Sequence, residues 1–191
     1  MKLNDYTIGS EVNVEDSMQR YHYVLQEVPG RNFSVNFTPN LTPQQMLELG
    51  VFGGDYFHNE HSEFPEEWFN SAKLSAEHNP HLNFFQVDAS QPLQEWQSKG
   101  WIYEEDPRGW FQWYCRFFLG RRTDDDPRQI TRWLRLAGPK GRFRGQLIQL
   151  CLRKHKAFND FTVSPVIRQT LLHWAYELTR TDFEKFRSRH R

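Results

Sequence analysis

Apolar positions in this chain fall into short runs at helical spacing, each opened by a polar residue and a proline. The starts are Thr42-Pro43, Asp106-Pro107, Asp126-Pro127 and Ser164-Pro165. A side-chain oxygen in that position accepts an orphaned backbone N–H, and proline at the first helical position gives up a donor that had no partner. Gln45 completes a capping box with Thr42, and Phe64-Pro65-Glu66-Glu67 sets acids against the positive end of another helix. Gly50, Gly120 and Gly138 read as stops. The pattern predicts helices over 43–49, 65–74, 91–98, 107–119, 127–137, 143–155 and 165–179.

Alternation marks the N-terminal part. Tyr21, Tyr23 and Leu25, then Phe33, Val35 and Phe37, flank Pro29-Gly30, which suggests a small hairpin or extended strands laid over the helices. Residues 1–16 and 180–191 are polar and are expected to be loose. The fold class expected is mainly α: a compact multi-helix single domain over 17–179 with a small extended or hairpin N-terminal segment. Within it the 107–119 helix carries Trp110, Tyr114 and Phe117 on one face and Phe111, Cys115 and Phe118 on the next, so it should sit in the core. Ile167, Leu171, Trp174 and Leu178 make a stripe that packing alone explains.

With 191 residues the chain suits one domain able to bury a core, and at 16% aromatic content rings must supply much of that burial. Two cysteines are too few for a disulfide framework, and no run resembles a signal peptide or a membrane span. These features predict an intracellular protein, cytoplasmic or nuclear, with no membrane partner. The formal net charge of zero hides a polarity: residues 1–115 hold 6 Lys/Arg against 17 Asp/Glu, and residues 116–156 hold 12 against 3. Either the basic stretch meets an anionic partner, or the two halves neutralise each other on folding.

Candidate chemistry gathers in the basic stretch. Arg128, Arg132 and Arg135 share a helix face, and guanidinium groups grip phosphate with a two-pronged fork. Arg116, Arg121 and Arg122 lie beside Trp110, Trp113 and Tyr114, whose rings suit stacking on a base. The expected ligand set is therefore Trp110, Trp113, Tyr114, Arg116, Arg121, Arg122, Arg128 and Arg132. The loop from Gly138 to Gly145 is either a backbone clamp of the Gly-x-x-Gly kind or a plain basic turn. No phosphate-binding P-loop motif occurs, and no cofactor is expected.

Catalytic candidates are Asp106, more simply a helix cap, and Cys115, more simply a buried hydrophobe. Asp55 and Asp88 are further acids. His58, His61, His78 and His81 form two His-x-x-His pairs, but both lie in polar stretches and no metal site is expected from them.

The ordered motifs Leu41-Thr42-Pro43, Gly50-Val51-Phe52-Gly53-Gly54, Asp106-Pro107-Arg108-Gly109-Trp110-Phe111-Gln112-Trp113-Tyr114-Cys115-Arg116, Gly120-Arg121-Arg122 and Arg168-Gln169 span about residues 41–178. Together they resemble a family of small helical proteins of phages, bacteria and eukaryotes, similar to the helical domain associated with 5-hydroxymethyluracil DNA kinases. That resemblance implies a nucleic-acid or nucleotide context linked to DNA base modification. It does not carry kinase activity, whose nucleotide-binding domain has no counterpart here. Three readings follow: a domain that binds nucleic acid or a modified nucleotide, an enzyme acting on a flipped base or small nucleotide, and a structural or protein-binding module.

Overall fold

The computed structural model describes residues 1–91 and 93–189. It opens with an antiparallel hairpin, β1 (Glu11–Asp16) and β2 (Gln19–Val24), with Glu11 opposite Val24 and Asp16 opposite Gln19. Val12, Val14 and Tyr23 point into the core while their neighbours face outward, the period-two pattern of a half-buried pair. The expected loose segment 1–16 is thus corrected: it supplies a strand. The expected second half of the hairpin, 33–37, forms none. Backbone N–H groups of Gln26, Glu27 and Gly30 are taken instead by Gly120 and Phe118 carbonyls at the end of the central helix, at 2.9, 3.1 and 2.7 Å. Phe37 is buried there, whereas Val35 is exposed.

Helix α1 (Pro43–Glu48) carries the predicted capping box, with Gln45 N donating to Thr42 Oγ1 and Thr42 N to Gln45 Oε1. The expected 65–74 helix is only one 3-10 turn, Glu66–Phe69. Helix α2 (Leu93–Ser98) has no buried residue, and Pro92 in the same expected segment lies outside the described residues. Helices α3 (Trp110–Leu119), α4 (Asp126–Leu136), α5 (Arg142–Arg153) and α6 (Pro165–His173) follow. Helix α7 (Arg180–Arg189) corrects the second expected loose end: Phe183 packs into the core and Asp182 pairs with Arg144 at 2.5 Å. His190 and Arg191, the last of that expected tail, lie outside the described residues.

Nine of the ten α3 residues are buried, all but Phe118, so the prediction of a central helix holds. Its rings surround Phe37, whose centroid lies 5.7 Å from Trp113, 6.1 Å from Tyr114, 5.5 Å from Phe117 and 5.2 Å from Trp133 of α4. Edge-on and tilted contacts of this kind add to the burial energy of each ring. Polar edges are satisfied inside: Tyr114 Oη donates to the Leu41 carbonyl at 2.8 Å and Trp133 Nε1 to the Trp174 carbonyl at 2.7 Å.

Gly120 ends α3 in the left-handed region at φ +116°, and a Cβ there would stand 2.0 Å from the Glu27 carbonyl oxygen. Both the turn and the docking of 26–30 therefore require glycine. Gly120→Ala is expected to destabilise by about 3 kcal/mol or more, read as a lower midpoint in urea unfolding.

Candidate functional site

The arginines expected at a ligand divide into two groups. Arg116 and Arg121 are closed to solvent beside Glu63 and Asp106. Arg116 Nε and Nη2 grip Glu63 in a two-pronged pair at 2.8 Å each, and its Nη1 reaches Asp106 at 3.1 Å. The Glu105 carbonyl also accepts from Arg116 Nη1. Arg121 Nη2 donates to the other Asp106 oxygen at 2.5 Å. Tyr23 Oη donates to Glu63 at 3.3 Å, and the Tyr21 and Tyr23 rings lie under both guanidiniums, with centroids 5.4 to 5.9 Å away. Burial alone disfavours the Arg116 charge, but Glu63 and Asp106 outweigh it and hold its pKa above the ordinary arginine value.

Arg116 is fully engaged in this compartment, whereas Arg121 also lines an open cavity of about 390 Å³ with Tyr21, Tyr103 and Arg122, its buried Nη1 lacking a hydrogen-bond partner and lying 3.9 Å from Glu105. Asp106 is not the helix cap: α3 begins after Gly109, and the Asp106 carboxylate serves the two arginines. Cys115 is fully buried, and burial first, then Glu63, pushes its thiol well above the usual range. Neither catalytic candidate is presented to a substrate.

Four more expected ligands have structural partners. Trp113 is buried with Nε1 on Asp126 Oδ1 at 2.9 Å, and Asp126 also accepts from Thr123. Arg122 donates to the carbonyls of Phe117, Arg121 and Arg31 and lies over the Phe117 ring. Arg128 is held by Asp125 at 2.5 and 2.8 Å, and Tyr114 belongs to the core described above.

Trp110 and Arg132 come together elsewhere, in a cavity of about 410 Å³. Its walls are Trp110 of α3, Trp174 after α6, Phe143 of α5, and Trp96 and Trp101 from α2 and its exit. Arg132 and Arg142 supply the charge, and Lys99, paired with Glu95 at 2.8 Å, lies at the same lining. Arg132 stands over the Trp174 ring at 5.5 Å, Lys99 over Trp101 at 4.8 Å and Arg142 over Phe143 at 4.4 Å.

Among the described residues no carboxylate forms an ion pair with Arg132 or Arg142. Arg132 Nη1 donates only to the Trp101 carbonyl at 3.2 Å and to Gln129 Oε1 at 3.0 Å. Burial, then repulsion by Arg128, lowers its pKa to about 10. A guanidinium so placed pays a desolvation cost that a bound anion would relieve. The indole Nε1–H of Trp110 is also buried with no acceptor. Segment 96–101 and Trp174 were not among the expected ligands. Their signal was two tryptophans flanking Lys-Gly on a polar stretch with no apolar stripe, Trp96-Gln97-Ser98-Lys99-Gly100-Trp101.

A second cavity of about 390 Å³ shares Phe52, Tyr56, Ser90, Gln91 and Trp96 with the first and adds Asp55, His78, Asp88 and Arg108. Its Arg108 is tied to Asp16 at 2.7 Å and to Glu60. Among the described residues no group of three His, Cys, Asp or Glu side chains could hold a metal ion. His61 and His78 each turn Nδ1 to a backbone carbonyl. Neither a protein-family model, nor a curated protein, nor a solved structure matches this chain.

Two solution properties follow. Both thiols are buried, so a thiol-titrating disulfide reagent should find neither Cys115 nor Cys151 in the native protein and both after unfolding. His173 lines the first cavity with Nε2 2.8 Å from the Val51 carbonyl, and burial lowers its pKa to about 4. The folded value lies below the unfolded one of about 6.5. The unfolded chain therefore binds the proton first, and this contribution is complete above pH 6.5 and fades as pH falls toward 4. By pH 5 the loss should reach about 2 kcal/mol, and His173→Gln should flatten the unfolding free energy between pH 7 and 5 by that amount.

Proposed function

We propose that the cleft binds one flat heterocycle carrying a phosphate, as a free nucleotide or as an unpaired base of a nucleic acid. The observation that carries this reading is Arg132, a half-buried cation without a carboxylate partner, held over Trp174 in a chamber walled by tryptophan. Stacking on such rings contributes about 1–3 kcal/mol per base, and it tolerates any base because each has a π-face. Arg132 and Arg142 meet the phosphate, while Trp96, Trp101, Trp110 and Trp174 line the space that takes the ring. A volume near 400 Å³ is within the range of small-ligand sites and suits a single nucleotide rather than a duplex. The resemblance to the helical domain of 5-hydroxymethyluracil DNA kinases favours a modified base as the natural guest. Binding rather than catalysis is favoured because Asp106 and Cys115 are both sealed inside.

The test is fluorescence-detected binding of mononucleotides and of a short single-stranded oligonucleotide. Affinity should fall steeply as salt rises, and Arg132→Gln should weaken it at least about tenfold while leaving the melting temperature unchanged or raised. Binding that ignores both salt and this substitution, or none at all, contradicts the proposal.

A further inference from the structure

The second cavity offers hydrogen-bond acceptors where the first offers cations. His78 is seated on the turn formed by Gly50-Val51-Phe52-Gly53-Gly54. Its Nδ1 lies 3.0 Å from the Phe52 carbonyl, and a Cβ on Gly53 would come within 2.8 Å of the ring. Only glycine leaves room for the imidazole on that backbone. A carbonyl can only accept, so Nδ1 carries a proton, and the tautomer this selects has its acceptor at Nε2. Nε2 lies 3.9 Å from Asp88 Oδ1, and Asp55 Oδ1 is 3.7 Å from Nδ1. The one guanidinium in this chamber, Arg108, is occupied by Asp16 and Glu60. Beside the neutral polar groups of Ser90, Gln91 and Gln94, what remains for a guest is an imidazole nitrogen and two carboxylates, all partly open to solvent.

Such a chamber repels phosphate and takes groups that donate. Phe52, Tyr56, Ser90, Gln91 and Trp96 line both cavities, so the two chambers lie side by side within the span of one nucleotide. We infer that the second chamber is the sugar subsite of the same ligand, with His78 Nε2, Asp88 and Asp55 accepting from free sugar hydroxyls. Carboxylates that accept from ribose hydroxyls are a recurring way to recognise a nucleotide's sugar. This inference rests on the nucleotide reading above and narrows it to a guest that carries vicinal hydroxyls. It also gives a role to the glycine-rich turn and to one of the histidines, which phosphate binding leaves unexplained.

The experiment compares guanosine 5′-monophosphate with its 2′-deoxy and 2′,3′-dideoxy analogues, each titrated into the wild-type protein, His78→Ala, Asp88→Asn and Arg132→Gln. In the wild type, loss of both hydroxyls should weaken binding about tenfold, the effect of one hydrogen bond to a charged acceptor. Asp88→Asn and His78→Ala should shrink that ratio toward one, whereas Arg132→Gln should weaken all three nucleotides and preserve it. Equal affinity for the ribo and dideoxy forms in the wild type would overturn the subsite and leave the aromatic cleft standing. A ratio untouched by the His78 and Asp88 substitutions would overturn the assignment of these residues. If none of the nucleotides binds, the cleft reading fails and the subsite with it.

Discussion

The pairing of Arg116 and Arg121 with Glu63 and Asp106 is the constraint on which the rest of the structure depends. It joins α3 to the loop before it, to the 61–66 segment and, through Tyr21 and Tyr23, to the hairpin. A guanidinium at such depth is tolerated only because carboxylates on two sides replace its water. Removing one partner would leave an uncompensated buried charge, so these segments must assemble together or not at all. The acidic first half and the basic second half of the chain meet here. Among the described residues Arg116 and Arg121 are the basic-stretch cations that pair with carboxylates of the first half, so the internal match neutralises only part of that polarity.

That match sets the terms for the cleft. Arg116, Arg121 and Arg128 have carboxylates and Arg122 has carbonyls, whereas Arg132 and Arg142, which line the cleft, form no ion pair among the described residues. Arg132 lies one turn beyond Arg128 on the same helix, yet it points among rings rather than toward Asp125. Aromatic faces stabilise a guanidinium by cation–π attraction but do not neutralise it. A planar anion satisfies both demands, since its ring takes the indoles and its charge takes the guanidinium. The neighbouring acceptors around His78 then separate the cleft into a cationic and an acidic end.

Much of the helical order was legible along the chain, because caps, prolines and stops act within a few residues. Thr42 with Gln45 and Gly120 behaved as local chemistry dictates. Asp106 did not, although Asp106-Pro107 reads as well as any start. Its fate is decided by Arg116 and Arg121, ten and fifteen residues away, and by Glu63 across the fold. Long-range competition for one carboxylate leaves no local mark. The 11–16 strand and the 180–189 helix were missed for a related reason: each is largely polar and is ordered by a few anchors, Val12 and Val14 in one and Phe183 with Asp182 in the other. For the cleft, Trp110 and Arg132 were readable as ring and cation, but their convergence was not. Six separated segments line it, and α2, which supplies Trp96, has too little apolar pattern to announce an inward face.

The most direct test of the account is a crystal structure of the protein soaked with a nucleoside monophosphate. The base should lie among Trp96, Trp101, Trp110 and Trp174, with a phosphate oxygen hydrogen-bonded to the Arg132 guanidinium. A nucleotide bound elsewhere, with the tryptophan cleft empty and Arg132 still held only by the Trp101 carbonyl and Gln129, would contradict it.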